Sequence, residues 1–357
     1  PQAWQYTGFT GTGVKIAIID TGIDYTHADF GGPGTVAAWN AAKATSTAAA
    51  DSSLFGPAAP KVKGGYDFVG DAYNANDPNS VPHPDANPLD CNGHGTHTAG
   101  TAAGLGVLAD GTTFHGPYNG STLSPTSHSW NVGPGVAPGA DIYAYRVFGC
   151  AGSSNIVDLA IDRAVADGVN VISMSLGSPF GGIDDPTSEA SQNAFNDGIT
   201  VVASAGNDGG GAYMVGSPST ANGVLSVAAM DGSSPTYPGA TLNLAGGPVK
   251  TIDANGATIP AGLFKVKVLT NAAGTAVALG CSQSDYGDST GMVVVTKRGN
   301  CARVARAVYG QKAGAAVVVM INTSQGSYPP FEGQITSNPD TGEQYTAVSY
   351  THLRAHE

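Results

Sequence analysis

The stretch Val14-Lys15-Ile16-Ala17-Ile18-Ile19-Asp20-Thr21-Gly22 decides the fold of this chain. Its β-branched, apolar core is bounded by glycine on one side and a carboxylate on the other, which predicts a short buried strand. Four later apolar runs have the same character and also predict strands. They are residues 141–148, 169–176, 199–205 and 224–229.

Two amphipathic segments between these strands predict helices. An apolar stripe at helical spacing runs from Ile156 to Val165, and Gly168 follows at the position of a left-handed C-cap. A second helix is predicted over Pro186–Asp197, ending at Gly198. Strands that alternate with such helices predict an α/β domain with a mostly parallel central sheet and helices on both faces. Ligands of such sheets bind beyond the carboxyl ends of the strands, so polar residues that follow a strand are candidates for a site.

The composition narrows the class of protein. The length of 357 residues suggests about two domains. Fifteen Lys+Arg against 27 Asp+Glu give a net charge of −12, which argues against nucleic acid and anionic membranes as partners. No apolar run approaches the roughly 20 residues of a membrane-spanning helix. This acidic, charge-poor composition fits a secreted hydrolase, and the chain opens at Pro1 without a leader, so a signal peptide is expected to lie outside it.

The amino-acid composition and the pattern of predicted elements change near residue 240. The segment that follows is rich in Thr, Ala and Gly, with predicted strands at residues 263–268, 292–295 and 315–321 and a helix over residues 302–313. This pattern predicts a compact, β-rich second domain over residues 241–347. Residues 348–357 hold two of the eight histidines and show no strand or helix pattern. We expect them to be a non-native tail without structure or function.

Two clusters in the first half have residue types that suit catalysis. Asp20 directly follows the first strand, where a rigid, half-buried carboxylate could orient an imidazole; the alternative is a turn or helix cap. Asn92-Gly93-His94-Gly95-Thr96-His97 contains small residues that allow close backbone approach, and a helix is predicted to begin near His94. His94 and His97 would share a helix face. A metal pair is one interpretation and structural histidines another, but helical zinc hydrolases usually place the histidines four apart with a glutamate beside the first.

Two further polar segments follow predicted strands. Asn207 lies in Ala205-Gly206-Asn207, where its amide could donate to a developing oxyanion; a simple turn is the alternative. Ser175-Leu176-Gly177 follows the third strand and could present edge backbone to an extended peptide.

In combination these motifs resemble the subtilisin-like serine proteases (subtilases, peptidase S8 family) over about residues 10–232. The resemblance is most specific at residues 18–27 and 92–100, with support at 135–140, 173–177 and 205–207. It implies a subtilisin-like three-layer catalytic domain over residues 1–240. In that family, residues matching Asp20 and His94 act with a serine nucleophile, Asn207 stabilises the oxyanion, and Ser175-Leu176-Gly177 binds substrate backbone. His97 is then structural.

The second domain resembles the protease-associated (PA) domain that many subtilases carry as an insertion. The matching segments are residues 293–301 and 307–321, the second of which contains Gln311-Lys312-Ala313-Gly314-Ala315. This resemblance implies a disulfide between Cys281 and Cys301, and Cys91 and Cys150 could pair in the catalytic domain. It also implies protein or peptide substrates, a propeptide N-terminal to the mature chain, and no required cofactor. Structural calcium is a possibility that the family implies, although surface carboxylates without a ligand-like spacing are the alternative. The candidate residues are Asp24, Asp29, Asp67, Asp71, Asp77 and Asp85.

The sequence departs from the family at the nucleophile. In subtilases this serine lies in a Gly-Thr-Ser-Met-Ala-type turn, and no serine after Asn207 is preceded by Gly-Thr. We therefore expect a fragment of a secreted serine endopeptidase that is truncated before the catalytic serine and is inactive in this form. One alternative is a non-catalytic, PA-bearing peptide-binding protein. Another is a metallohydrolase that uses His94 and His97.

Overall fold

A computed structural model describes residues 2–124, 126–209, 211–229, 239–255, 257–299, 301–321, 337–338, 343–344 and 351–355. The chain divides into two compact units, Pro1–Met230 and Asp231–Glu357. The helices are α1 (Gln2–Thr7), α2 (Val36–Lys43), α3 (His94–Ala103), α4 (Val157–Ala166), α5 (Pro186–Asn196) and α6 (Arg303–Lys312). The first unit has strands β1 (Lys15–Asp20), β2 (Val62–Asp67), β3 (Val107–Leu108), β4 (Trp130–Val132), β5 (Asp141–Arg146), β6 (Val171–Met174), β7 (Thr200–Ser204) and β8 (Leu225–Val227). The second has β9 (Gly239–Leu244), β10 (Gly247–Asp253), β11 (Val266–Val268), β12 (Val293–Lys297), β13 (Val317–Ile321), β14 (Ser337–Asn338), β15 (Glu343–Gln344) and β16 (Thr351–Ala355).

The first unit is built on a parallel sheet with the strand order β2-β5-β1-β6-β7-β8. Side chains of β1 alternate between its two faces, as strand geometry requires. Ile16 and Ile18 pack with residues of α3, whereas Ala17 and Ile19 pack with residues of α4 and α5. Helices therefore cover both faces of the sheet, which confirms the predicted α/β class. Because Asp20 has the same parity as Ile16 and Ile18, its side chain lies on the α3 face.

The helix ends follow the local sequence. The side chain of Asp185 accepts hydrogen bonds from the backbone N–H groups of Thr187 and Ser188 and so caps the start of α5. Gly168 and Gly198 follow α4 and α5 with φ angles of +67° and +88°, a conformation that glycine adopts without steric cost. Both predicted helices are thus present, with ends near those expected.

The second unit contains a mixed sheet with the strand order β11-β12-β13-β16-β10-β9, and α6 packs against β13. The boundary predicted at residue 240 falls inside β9, whereas the two units divide between residues 230 and 231.

No structure was expected for residues 348–357, but β16 pairs in parallel with β13 and antiparallel with β10. Backbone pairing with strands that are distant in sequence forms β16, and local sequence pattern does not report such pairing.

None of the helices in the described part of the chain has the length and apolarity that crossing a lipid bilayer requires.

Candidate active site

Asp20 and His94 meet at the carboxyl end of the central strand. Asp20 ends β1 and is buried, whereas His94 begins α3 and is half exposed. The Asp20 Oδ1 and His94 Nδ1 atoms lie 2.7 Å apart. An ionised carboxylate can only accept hydrogen bonds, so Nδ1 carries the proton and Nε2 is left as the basic nitrogen. A buried carboxylate that fixes the tautomer of an imidazole is an arrangement suited to general-base chemistry.

The carboxylate of Asp20 is held in place by its neighbours. Its Oδ1 accepts a hydrogen bond from the Thr21 backbone N–H at 2.7 Å, and its Oδ2 accepts one from Thr98 Oγ1 at 3.2 Å. The hydrogen bond to Asp20 raises the pKa of His94 above its ordinary value, and partial burial opposes this rise. Asp20 therefore stabilises the imidazolium that forms when His94 takes up a proton.

Glycine brings the start of α3 close to the loop that follows β1. A Cβ atom on Gly95 would lie 2.1 Å from the carbonyl oxygen of Gly22 and 3.1 Å from Cβ of Asp20. Only glycine therefore fits at this contact. The Gly95 N–H also donates to Thr21 Oγ1 at 2.8 Å. The close approach that small residues around His94 predict is present.

Asp90 is a buried carboxylate that sequence reasoning missed. It fixes the segment before α3, because its two oxygens together accept five hydrogen bonds. The donors are Thr21 Oγ1 (3.0 Å), the N–H groups of Asn92 (2.8 Å), Gly93 (2.9 Å) and Thr96 (3.0 Å), and Thr96 Oγ1 (2.6 Å). An aspartate two residues before Asn-Gly is typical of an Asx turn, which was the available signal.

A cavity of about 250 Å³ joins the pair to the predicted substrate-binding segment. Asp20 and His94 line it together with Ser175-Leu176-Gly177, which follows β6. The Leu176 carbonyl oxygen accepts a hydrogen bond from Ser204 Oγ at 3.1 Å, and this fixes the segment against β7. Asn207 follows β7 and is exposed, but it is not among the residues that line this cavity.

His97 faces elsewhere. It lines a separate cavity of about 630 Å³ together with His27 and Trp4, and it does not line the cavity of His94. Within the described residues, the one group of three potential metal ligands is Asp71, Cys91 and Cys150. Both of its sulfurs are bonded to each other, so the group is unsuited to a metal. The arrangement of His94 and His97 thus gives no support to a metal pair.

Both cysteine pairs form disulfides. Cys91 is bonded to Cys150 and Cys281 to Cys301, and the separations in sequence are 59 and 20 residues.

The six carboxylates considered for calcium accept hydrogen bonds at separate turns and ion pairs. Asp24 accepts from Thr26, Asp29 from Gly106, and Asp67 from Val69 and Gly70; Asp71 accepts from Lys43 and Arg146, Asp77 from Asn79, and Asp85 from Asn87. Calcium takes six to eight oxygen ligands, and no three of these side chains converge in the described part of the chain. The described residues therefore offer no cluster of three carboxylates for the structural calcium that the family resemblance allows.

Comparison with known sequences gives the family. Residues 11–302 match the profile of the subtilase family, and residues 268–353 match that of the PA domain. The chain belongs to the subtilase family. Its second unit accordingly contains a PA domain, and the match extends into β16.

Three curated relatives show how similar this chain is to individual subtilases. It is 32% identical over 332 residues to the minor extracellular protease Vpr of Bacillus subtilis, covering 91% of this chain and 33% of Vpr. It is 33% identical over 232 residues to subtilisin DY of Bacillus licheniformis, covering 64% of this chain and 60% of that protein. Identity to thermitase of Thermoactinomyces vulgaris is 33% over 211 residues, covering 58% and 52%. The chain thus spans less than two thirds of each of these relatives.

Proposed function

We propose that the full-length protein is a serine endopeptidase in which Asp20 and His94 activate a serine that lies outside these 357 residues. The observation that carries this proposal is the buried Asp20 carboxylate 2.7 Å from His94 Nδ1, in a chain of the subtilase family. The cavity that these two side chains share with residues 175–177 supports it.

The proposal gives each group a role. Asp20 keeps the proton of His94 on Nδ1, so that Nε2 can accept the proton of the serine hydroxyl as its oxygen attacks the peptide carbonyl. His94 then donates this proton to the leaving amine, and water hydrolyses the acyl-enzyme by the same route in reverse. Asn207 donates its side-chain amide to the oxyanion, and residues 175–177 pair with the substrate backbone.

The proposal includes the setting of the enzyme. Its substrates are proteins or peptides, it requires no cofactor, and it is secreted after loss of an N-terminal propeptide. The name of the relative Vpr describes an extracellular protease, and the acidic composition of this chain, with a net charge of −12, is consistent with secretion.

Labelling with a fluorophosphonate probe tests the proposal. We expect the protein as encoded in its source to be labelled at a serine, and His94→Ala in that protein to abolish labelling. We expect no labelling of the 357-residue chain, because the residues that remain supply binding without a nucleophile. Labelling of the 357-residue chain, or labelling of the full protein that His94→Ala leaves intact, would overturn the assignment.

The absence of a Gly-Thr-Ser turn after Asn207 favours one alternative, a PA-bearing protein that binds peptides without cleaving them. That protein would remain unlabelled at full length while still binding peptides in the cavity of residues 175–177. Loss of activity with a chelator, together with resistance to fluorophosphonate, would instead indicate a metallohydrolase.

A further inference from the structure

The Cys91–Cys150 disulfide joins two segments that border the candidate site. Cys91 lies between Asp90 and Asn92, directly before the helix that His94 begins. Cys150 lies in the loop after β5, next to residues that line the cavity of His94. The two Cα atoms are 5.1 Å apart, and Asn92 Nδ2 donates to the Cys150 carbonyl oxygen at 3.1 Å. The disulfide therefore ties the segment before α3 to the loop after β5, and residues of both segments line the cavity.

A buried guanidinium contacts the same two segments. Arg146 ends β5, is 1% exposed, and is paired in register with Asp20 on β1. It donates to the carbonyl oxygens of Leu89 at 3.1 Å and Phe148 at 3.0 Å, one on each side of the disulfide. Its Nη2 lies 3.1 Å from Cys91 Sγ and 3.8 Å from Cys150 Sγ. Arg146 thus links the strand of Asp20 to both segments at once.

Carboxylates hold this guanidinium in place. Asp67 Oδ2 lies 3.2 Å and Asp71 Oδ1 lies 3.0 Å from Arg146 Nη1, and Lys43 pairs with the other oxygen of Asp71. An arginine with fixed anionic partners cannot move away with either loop. Together with Asp90, Arg146 therefore holds the Cys91 and Cys150 segments next to the strand of Asp20.

We propose that Arg146 and the Cys91–Cys150 disulfide are positioning residues that hold His94 against Asp20, and that a dithiol reductant releases this hold. A thiolate of the reductant attacks one cysteine sulfur to form a mixed disulfide, and its second thiol then displaces that sulfur. The reductant is oxidised to its disulfide, and Cys91 and Cys150 each gain one electron and one proton. The positive charge of Arg146 favours the departing thiolate, and the partly exposed cysteines admit the reductant. The proposal rests on the assignment of His94 as the catalytic base.

Titration of His94 in the 357-residue chain tests the proposal without requiring peptidase activity. The measurement is nuclear magnetic resonance of 15N-labelled histidine, with the His94 signal assigned through His94→Gln. We expect the raised pKa of His94 to fall towards its ordinary value when the Cys91–Cys150 bond is reduced with dithiothreitol or replaced in Cys91→Ser/Cys150→Ser. Reoxidation restores the raised pKa. The matched control, Cys281→Ser/Cys301→Ser, leaves it unchanged.

A second variant decides the case if loss of the disulfide unfolds the first unit. Arg146→Lys keeps the disulfide and a positive charge but removes the forked contacts, and we expect it to lower the pKa of His94 as well. An unchanged His94 pKa in a folded Arg146→Lys chain, or in a folded and reduced wild-type chain, would overturn the proposal. Fluorophosphonate labelling of the full-length protein distinguishes failure of this positioning proposal from failure of the proposed peptidase function. If that protein is labelled by fluorophosphonate, reduction should slow labelling roughly 10²-fold, whereas an unlabelled protein with a responsive His94 pKa would remove only the peptidase assignment.

Discussion

A buried arginine lies beside a disulfide in both units of this molecule, but the two arginines connect different parts of the structure. Each contains parallel strands, one disulfide and, among the described residues, a fully buried arginine beside the sulfur atoms. In the first unit Arg146 lies at the end of a central strand, next to Asp20. In the second unit Arg306 lies within α6, with Nη2 3.7 Å from Cys281 Sγ.

The contacts of the two arginines differ in what they connect. Arg146 joins carboxylates and carbonyl groups of three loops at the edge where the candidate site lies. Arg306 donates to the carbonyl oxygens of Leu279 and Gly299, and to those of Cys301 and Ala302, all near its own disulfide. The first arrangement borders the candidate site, and the described contacts of the second lie within the PA domain. The predictions below test this difference.

The largest expected effect concerns the chemistry that we propose for the first unit. Asp20→Asn in the full-length protein should lower kcat about 10⁴-fold, because an amide no longer fixes the imidazole tautomer. The control is Asp285→Asn in the second unit, where this exposed carboxylate caps a short helix through the Ser282 N–H. Steady-state peptide hydrolysis measures both. Comparable loss in the two variants would show that the second unit takes part in the reaction.

The next largest effect concerns the two arginines. Arg146→Met leaves Asp67 buried without its cationic partner and should lower the free energy of unfolding of the first unit by about 3–5 kcal/mol. Tryptophan fluorescence during urea unfolding reports this unit, since Trp4, Trp39 and Trp130 all lie in it. Arg306→Met should leave the tryptophan transition unchanged while hydrogen exchange in α6 accelerates. A shifted tryptophan transition in Arg306→Met would contradict the separation of the two roles.

The central strands could be predicted because they are buried on both faces and read as continuous apolar runs. The edge strand β2 could not, because Gly64 and Gly65 interrupt its pattern. Gly65 has a φ angle of +138°, and a Cβ there would lie 1.8 Å from the Ala144 carbonyl oxygen, so glycine permits the pairing with β5. Helix α2 was also missed, because its apolar residues run almost without interruption and form no distinct stripe, although Trp39 and Ala42 pack against the core.

In the candidate site, too, residues in short sequence motifs could be predicted, and residues defined by contacts distant in sequence could not. Asp20 and His94 could be predicted, since each stands in a short motif at the end of a predicted strand or the start of a predicted helix. The role of Arg146 could not, because it depends on partners such as Asp67, which lies 79 positions away. At Asp90 the local sequence indicates an Asx turn, but it does not report the contact with Thr21, which lies 69 positions away. Burial of a charged group becomes visible only when the chain is folded.

A smaller effect follows from the burial of Asp67, which raises the pKa of this carboxyl to about 6, despite the opposing influence of Arg146. Between about pH 4 and pH 6 the folded state keeps a proton that the unfolded state releases, so the contribution of Asp67 to stability is lost as the pH rises through this window. The difference amounts to about 3 kcal/mol. The measurement is the free energy of unfolding in urea at pH 4.5 and at pH 7.5, followed by tryptophan fluorescence. Asp67→Asn should remove the difference between the two pH values. Asp162→Asn, on the exposed face of α4, is the control and should keep the wild-type difference. An unaltered pH dependence in Asp67→Asn would mean that Arg146 keeps the carboxylate ionised throughout.

The smallest expected effect is the difference in stabilisation between the two disulfides, about 1 kcal/mol. Their loops span 59 and 20 residues, so chain entropy predicts that Cys91→Ala/Cys150→Ala destabilises the first unit by about 4 kcal/mol and Cys281→Ala/Cys301→Ala the second by about 3 kcal/mol. Tryptophan fluorescence follows the first unit and hydrogen exchange in α6 follows the second. Arg146 retains its carboxylate and carbonyl partners when the sulfurs are removed, so loop closure should account for most of the loss. A first-unit loss well above 4 kcal/mol would show that the contacts of Arg146 with the sulfurs themselves stabilise the fold, and the two disulfides would then differ in kind as well as in loop length.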